Sequence, residues 1–380
     1  MRIFFLALLL IIQPAYANIH FLSISDIHYG ENIVTKDGTD TNKTLLTKAL
    51  DQFSQLVKKV DFVLFLGDLP AHSVLYSTKS TAYLKTVFHA LYQANKSDKP
   101  MFYITGNNDS PRGNYLPFSW KGESPLTFAN DWQGACAHCE GLIIDGTHMQ
   151  DKGYYSSYVI PGNQDIILIA LNTVQFANTP FYRSEYPNQD RDALPQLHWL
   201  DEQLKTHPAK QVLIAMHIPP GKNYKGRALW REAYTKQFIN ILNHTLPKYE
   251  QITLLTSHTH MDDIRKIKLK DGTAIYAYAT PSVSPSNHNN PSMKVFELNA
   301  RLQLQDYVTY YTTSYTEWTN DHYQAKKDIF PQCQTKEPME NCLNHYNNIH
   351  LCNALNKGQF YGSKSPRVDG SVCGVTYPVN

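Results

Sequence analysis

Two pairs of potential metal ligands, Asp26-x-His28 and His258-x-His260, lie far apart in the sequence. Side chains at positions i and i+2 of an extended segment point to the same side, so each pair can face one ion. Three single candidates lie between the pairs, namely Asp68, Asn107 and His217. Because carboxylate and imidazole groups suit zinc, iron or manganese, the pattern indicates metal-dependent chemistry.

Each candidate follows a short apolar segment that predicts a β-strand. These segments are residues 20–25, 62–66, 101–105, 211–216 and 252–256. The carboxyl ends of the strands in an α/β sheet share one edge, where ligands normally bind. We therefore expect the seven side chains to meet at that edge, although more than two hundred residues separate the first from the last.

The elements between these strands predict a layered α/β core. Helical periodicity at residues 42–60 and 81–95 separates the first three strands, whereas residues 110–151 have no period and are expected to form a long excursion beside the core. Further along, the sequence predicts a hairpin at 154–160 and 165–171 with 161–164 as its turn, helices at 194–206 and 228–246, and strands at 264–269, 274–279 and 294–298.

The N-terminus has the three parts of an export signal. Arg2 precedes an apolar run at residues 3–12, and Ala15-Tyr16-Ala17 supplies a small-x-small cleavage site. A short membrane anchor is the alternative, but a run of ten is well below the roughly 20 apolar residues of a membrane span. We expect cleavage after Ala17, a secreted or periplasmic protein, and no stable membrane anchor.

The cysteines and the net charge limit which kinds of site and partner the protein can have. The number of cysteines is six, and an exported chain favours a bridge between Cys136 and Cys139 over half of a zinc site. The other four lie in the last fifty residues, where we expect local disulfides. A net charge of +2 disfavours nucleic acid as a partner.

The ordered set of ligands resembles the calcineurin-like metallophosphoesterase superfamily. The matching motifs are Asp26-Ile27-His28, Gly67-Asp68, Gly106-Asn107-Asn108-Asp109, His217 and Ser257-His258-Thr259-His260. A narrower match at Gly67-Asp68-Leu69-Pro70-Ala71-His72 is similar to the acid sphingomyelinase-like phosphodiesterases. The resemblance extends over residues 19–298.

That resemblance implies an α/β fold with a two-sheet β-sandwich core flanked by helices, in α/β/β/α layers, and a cysteine-bearing helical C-terminal subdomain. It divides the chain into a signal peptide (1–17), a catalytic domain (18–300) and a disulfide-containing subdomain (301–380). It also implies two divalent ions, with zinc favoured and iron or manganese as alternatives. Asp26, His28, Asp68 and His260 would hold one ion, and Asp68, Asn107, His217 and His258 the other.

Two further residues are candidate catalytic groups by the same resemblance. His72 matches the histidine proposed to protonate the leaving group, and the alternative is that it only hydrogen-bonds the Asp68 loop. Asn108 departs from the family, which has a phosphate-contacting histidine there; an amide donates a hydrogen bond but carries no charge. Weaker expectations are that Asp109 orients a histidine, that Asn172 does the same or closes a turn, that Arg112, Tyr115 and Trp120 contact substrate, and that His138 and His288 are plain loop residues.

The implied reaction is attack of a metal-bridging hydroxide on a small-molecule phosphodiester or pyrophosphate. Nucleotides, CDP-alcohols and phosphocholine lipids are the candidate substrates. The alternatives are a phosphomonoesterase or polyphosphatase of the same fold and a metal-binding protein without turnover. The sequence leaves the oligomeric state open.

Overall fold

The computed structural model describes residues 17–72, 78–179, 186, 188–246, 249, 251–319 and 321–356. The predicted signal peptide therefore lies outside the described residues, apart from Ala17, and so does Cys373. In this part of the chain, no helix has both the length and the apolar character that crossing a bilayer requires.

Fourteen strands and seven helices form in the described part. The strands are β1 (Ile19–Ile24), β2 (Phe62–Phe65), β3 (Met101–Tyr103), β4 (Cys136–Ala137), β5 (Ile143–Asp145), β6 (Tyr155–Ile160), β7 (Asn163–Leu171), β8 (Gln211–Met216), β9 (Gln251–Thr256), β10 (Ile264–Lys268), β11 (Ala274–Ala279), β12 (Ser292–Leu298), β13 (Leu304–Tyr311) and β14 (Asp321–Gln324). The helices are α1 (Lys43–Leu56), α2 (Thr78–Ala94), α3 (Met149–Lys152), α4 (Asp190–Thr206), α5 (Glu232–Thr245), α6 (Met339–Asn344) and α7 (Asn348–Asn356).

The strands form two seven-stranded sheets, as the resemblance implies. The first has the order β14-β13-β12-β1-β2-β3-β4, and the second β10-β11-β9-β8-β7-β6-β5. At the centre of each sheet the strands that precede the predicted ligands run parallel, β1 with β2 and β3, and β8 with β9. Their carboxyl ends therefore point to one edge of each sheet.

The alternation of side chains along the central strands explains the layers. On β8, Leu213 and Ala215 join the core cluster that includes the first sheet, while Ile214 and Met216 join the cluster that contains α4 and α5 residues. Successive strand residues point to opposite faces, so a strand with both faces covered is apolar throughout. Helices α1 and α2 belong to the same core cluster as the first sheet, with residues such as Phe53.

The hairpin formed by β6 and β7 has a shorter turn than predicted. Ile160 pairs with Asn163, which leaves Pro161-Gly162 as a two-residue turn instead of residues 161–164. Gly162 has a φ of +75°, which suits the second central position of a turn whose first central residue is Pro161 and which glycine adopts without a steric penalty. Asn163 and Gln164 therefore belong to the strand.

Beyond residue 300 the chain first extends the first sheet and then becomes helical. Strand β13 pairs antiparallel with β12, and β14 pairs with β13. The predicted disulfide between Cys136 and Cys139 is confirmed, and Cys333 forms a local bridge with Cys342, which lies in α6. The division of the chain at residue 300 stays a prediction, and it falls between two paired strands.

The turns after β2 and β3 approach each other closely. Gly67 has a φ of +85°, and a Cβ added there would collide with the backbone nitrogen of Gly106. A Cβ added at Gly106 would in turn collide with the backbone of Asp68. Glycine at both positions therefore brings the turns that carry Asp68 and Asn107 together.

We predict that Gly67→Ala lowers the free energy of unfolding by about 3 kcal/mol or more, because it adds backbone strain to an unavoidable clash. Gly162→Ala is the matched control: its φ is also positive, but nothing lies within 4 Å of the added Cβ, so about 1 kcal/mol is expected. Urea unfolding followed by circular dichroism measures both. Equal losses in the two variants would contradict the proposed close approach.

Candidate metal centre

The seven predicted ligands converge at the carboxyl ends of five strands. Asp26, His28, Asp68 and Asn107 follow strands β1, β2 and β3 of the first sheet, and His217, His258 and His260 follow β8 and β9 of the second. His258 is partly exposed, and the other six are buried. The two sheets thus contribute opposite sides of one centre.

One group consists of Asp26, His28 and His260. Nε2 of His260 lies 3.3 Å from Oδ1 of Asp26, and Nε2 of His28 lies 3.7 Å from the same oxygen. The two Nε2 atoms are 3.2 Å apart. Three ligand atoms therefore surround a common point.

The second group consists of Asp68, His217 and His258. Nε2 of His217 lies 3.3 Å from Oδ2 of Asp68 and 3.1 Å from Oδ1 of Asn107. Asp68 also connects the groups, because its Oδ2 lies 3.6 Å from Nε2 of His28.

The ring orientations leave Nε2 atoms directed at this centre. Nδ1 of His28 contacts the carbonyl oxygen of Pro70 at 3.2 Å, and Nδ1 of His217 contacts that of Leu66 at 2.6 Å. A carbonyl oxygen only accepts, so Nδ1 donates in each contact, and Nε2 is the nitrogen that can bind a metal ion once the ring is neutral. Such outer contacts are how proteins orient metal-binding histidines.

One carboxylate oxygen of Asp26 is buried without a hydrogen bond, and this observation bears on whether a cation fits at the centre. Ser25, Ser257 and the backbone N–H of His258 all donate to Oδ2 of Asp26. Oδ1 of Asp26 is buried and accepts no hydrogen bond, although it faces the imidazoles. Buried oxygens are almost always paired, so this atom fits coordination to a cation, and the mixed carboxylate, amide and imidazole set suits zinc, iron or manganese.

The ionisable side chains of this centre strongly perturb one another's pKa values. Burial opposes ionisation of Asp26, but His260 and His217 outweigh it and hold its pKa well below the usual range. Burial likewise disfavours the charged form of His217, yet Asp68 and Asp26 raise its pKa to about 9. Desolvation and the neighbouring His217 lower the pKa of His258 to about 3. The two carboxylates therefore stay ionised by attracting positive charge.

Backbone strain is concentrated at the same residues. Five predicted ligands have a left-handed φ: Asp26 (48°), His28 (47°), Asp68 (59°), His258 (70°) and His260 (62°). Non-glycine residues rarely adopt this conformation, and each costs on the order of 1–3 kcal/mol. The strain turns the side chains away from their strand directions and towards one another.

Asp109 holds the Asp68 turn rather than a histidine, contrary to our expectation. Its carboxylate accepts hydrogen bonds from the backbone N–H groups of Asp68, Leu69 and Gly106 and from the hydroxyl of Tyr103, at 2.8–3.0 Å. Burial and the charge of Asp68 raise the pKa of Asp109 to about 6. The residue thus fixes the backbone of a predicted ligand.

Asn108 and His72 both lie against His28 but have different further partners. Asn108 donates its backbone N–H to Oδ1 of Asp68 at 2.8 Å and its side-chain amide to Oδ2 at 3.1 Å. His72 does not contact the ligands' carboxylates; its ring stacks on His28 with centroids 4.0 Å apart and pairs with Asp40. Asp40 was not predicted, because a lone Asp before a helix reads as an ordinary turn residue.

A cavity of about 260 Å³ opens onto the centre. Its walls combine the predicted residues Asp68, His72, Asn107, His258 and His260 with Asn114, Tyr115, Asn223, Tyr224, Leu229, Thr259 and Asn287. In the described part of the chain no Lys or Arg lines it. A second cavity of about 480 Å³ shares His72 and Asn287 with the first.

Of the residues expected to contact substrate or to serve as loop residues, some lie at the cavity and others lie outside the centre. Tyr115 lines the first cavity, and its hydroxyl lies 3.3 Å from Nε2 of His258. Arg112 instead stacks on Trp120, with the guanidinium 4.1 Å from the ring centroid. The side chain of Asn172 accepts from Val174 and closes a turn. His138 and His288 contact Asp98 and Asp37 outside the centre.

Comparison with known proteins gives the same family as the motifs. The model of the calcineurin-like phosphoesterases matches residues 19–262, more than half of the chain. Sphingomyelinase phosphodiesterase D of Dictyostelium discoideum is 23% identical, over 84% of this chain and 81% of that protein. Cyclic GMP-AMP phosphodiesterase SMPDL3A of Bos taurus is 24% identical, over 72% of this chain and 61% of that protein. Sphingomyelin phosphodiesterase 1 of Caenorhabditis elegans is 24% identical, over 66% of this chain and 44% of that protein.

These matches confirm the predicted relation to sphingomyelinase-like phosphodiesterases and, at the level of the family, to hydrolases of phosphoester bonds. The chain spans less than two thirds of the second and third of these relatives. With its ligand motifs at the strand ends of two facing sheets and a family model matching most of that region, the chain belongs to the calcineurin-like phosphoesterase family.

Proposed function

We propose that this protein is an exported, dinuclear-metal phosphodiesterase that cleaves phosphodiester or pyrophosphate bonds of small molecules. The observation that carries the proposal is the convergence of the carboxylate, amide and imidazole groups around the unpaired Oδ1 of buried Asp26. A buried cluster of this composition is expensive without cations and is suited to hold two of them.

In this proposal each group of ligands holds one ion, and zinc is favoured. Asp26, His28 and His260 serve the first, Asn107, His217 and His258 serve the second, and Asp68 bridges them. When bound, two such ions lower the pKa of a water molecule and offset the charge on the phosphate oxygens. The chain itself supplies the remaining parts: it holds Asp68 through Asn108, admits substrate through the cavity, and offers His72 as a proton donor.

The cavity favours a diester over a phosphomonoester or polyphosphate. Apart from the proposed ligands and His72, its lining is amide, hydroxyl and apolar, with Asn114, Asn223 and Tyr224 as examples. A terminal phosphate dianion carries more charge than a diester, and proteins usually meet such charge with Arg or Lys. The names of the three relatives, which are all phosphodiesterases, support the same choice.

The first prediction from the proposed function concerns substrate class. With zinc or manganese, the purified protein is expected to hydrolyse bis-p-nitrophenyl phosphate at least tenfold faster than p-nitrophenyl phosphate. The panel should include ATP, CDP-choline, cyclic nucleotides and sphingomyelin, which separates nucleotide from lipid substrates. Asp68→Asn, which weakens the bridge, serves as the inactive control. A faster monoester rate would favour a phosphomonoesterase, and bound zinc with no turnover of any ester would favour a binding protein.

The second prediction concerns protons released on metal binding. His217 has a pKa raised to about 9 in the metal-free protein, so its ring is protonated at pH 7, whereas only a neutral imidazole binds metal. Zinc uptake by the metal-free protein at pH 7 should therefore release a proton from His217. Since this proton is lost more easily at higher pH, apparent affinity should rise by about tenfold per pH unit between pH 6 and 8.

Calorimetry in buffers of different ionisation enthalpy counts the released protons. His217→Asn should release about one proton fewer than the unchanged protein. Zinc uptake that leaves the proton count and affinity unchanged across this pH range would contradict the assignment of His217 as a ligand.

The third prediction concerns His72 as the general acid. His72→Ala should lower kcat on a diester with a poor leaving group, such as diphenyl phosphate, by about 100-fold, within the usual contribution of general acid catalysis. Its zinc content should stay unchanged because the ring is not a proposed ligand. His89→Ala, which removes a surface histidine paired with Asp131, is the matched control. A normal rate in His72→Ala would assign the ring to a structural role only.

A further inference from the structure

Both carboxylate oxygens of Asp40 form hydrogen bonds with the same residue, His72. Oδ1 of Asp40 lies 2.8 Å from Nδ1 of the His72 ring, and Oδ2 accepts the backbone N–H of His72 at 2.8 Å. The side chain of Asp40 is 8% exposed, while that of His72 is 46% exposed. A buried carboxylate therefore reaches out to fix a largely accessible imidazole.

The His72 ring is also held by a second neighbour. The His72 ring stacks on the ring of His28, with centroids 4.0 Å apart and planes at 17°. The backbone of His72, its Nδ1 atom and the face of its ring are thus all held, although nearly half of the side chain is accessible. His72 lines both the cavity at the centre and the second cavity next to it.

We infer that Asp40 is the positioning residue for His72: it holds the proton of the ring on Nδ1 and keeps Nε2 as the nitrogen that exchanges a proton with the substrate. This inference rests on the proposed function and names a residue that it requires. A carboxylate accepts hydrogen bonds and cannot donate one when ionised, so its contact with Nδ1 selects a single tautomer. The same logic applies wherever an aspartate orients a catalytic histidine.

The proton transfer balances as follows. A water molecule gives a hydroxyl group to phosphorus while the bond from phosphorus to the leaving oxygen breaks. The doubly protonated His72 ring gives its Nε2 proton to that oxygen and forms an O–H bond. The ring keeps its Nδ1 proton, which stays hydrogen-bonded to Asp40, and solvent receives the proton lost by the water and later restores the one on Nε2.

A purely structural role for Asp40 is the alternative, since its carboxylate also ties the segment before α1 to the chain after β2. The two roles differ in what the amide of Asn changes. Asn is nearly the same size as Asp and can still meet the backbone N–H of His72, but it can also present a donor to Nδ1. Asp40→Asn should therefore disturb the tautomer while leaving the fold intact.

The first test reads the tautomer directly in the zinc-loaded, full-length protein. Selective ¹⁵N-histidine labelling and long-range proton–nitrogen spectra give the protonated nitrogen of each ring, and His72→Gln identifies the His72 signals. At a pH where this ring is neutral, the unchanged protein should carry the proton on Nδ1. Asp40→Asn should move it wholly or partly to Nε2. An unchanged tautomer in Asp40→Asn would overturn the inference.

The second test compares leaving groups. Asp40→Asn should lower kcat for diphenyl phosphate by about 10- to 100-fold, because phenolate needs protonation, and by less than about threefold for bis-p-nitrophenyl phosphate. KM and zinc content should stay constant. Asp131→Asn, at the exposed pair with His89, is the matched control and should change neither rate. Equal losses on both esters, or none on either, would overturn the inference.

Two further measurements separate this inference from the proposed function. If the unchanged protein hydrolyses no diester, the proposed function fails, and the tautomer of His72 still decides the role of Asp40. Asp40→Glu keeps a carboxylate and should retain more of the Nδ1 tautomer and of the diphenyl phosphate rate than Asp40→Asn. A greater loss in Asp40→Glu than in Asp40→Asn, with both variants folded, would assign Asp40 to packing.

Discussion

The structure depends on two buried carboxylates, Asp26 and Asp68, that must stay ionised close to each other. Desolvation and mutual repulsion both oppose this, and the imidazoles of His217, His28 and His260 provide the compensating attraction. This attraction compensates only partly, since Oδ1 of Asp26 remains without a hydrogen bond. Such an arrangement is stable when cations occupy the space between the ligand atoms, and this requirement explains why the surrounding loops are built as they are.

The loops meet this requirement by storing strain. A strand end would normally continue in an extended conformation, but the left-handed φ of Asp26, Asp68 and His258 redirects their side chains across the gap between the sheets. Hydrogen bonds between neighbouring loops hold the strained backbone, for example from Asp26 N–H to the Gly67 carbonyl and from Ser257 N–H to the His217 carbonyl. Two sheets are needed because one edge supplies four of the seven proposed ligands and the other edge supplies three.

The sequence predicted that the proposed ligands meet at the strand ends, but it predicted the contacts that support them poorly. Residues such as Asp68 and His217 were found because they follow apolar strands, and strand ends have a predictable place in an α/β fold. The carboxylate of Asp109 was assigned to a histidine, whereas it binds three backbone N–H groups, and no pattern of residue types reveals such contacts. Asp40 was missed for a similar reason: its partner is 32 residues away, and only the folded loops bring them together.

Asn108 supports a proposed metal ligand and also bears on the role proposed for His72. At position 108, most of the family that the motifs resemble has a histidine, whereas this chain has an asparagine. Asn108 donates hydrogen bonds to Asp68 from its backbone N–H and from its side-chain amide. It therefore orients the carboxylate proposed to bridge the ions and brings no ionisable group to the substrate. Of the three histidines that line the first cavity, His258 and His260 are proposed ligands, and His72 is the proposed proton donor. In the proposed mechanism, an amide at position 108 thus increases the dependence of the reaction on the contact between His72 and Asp40.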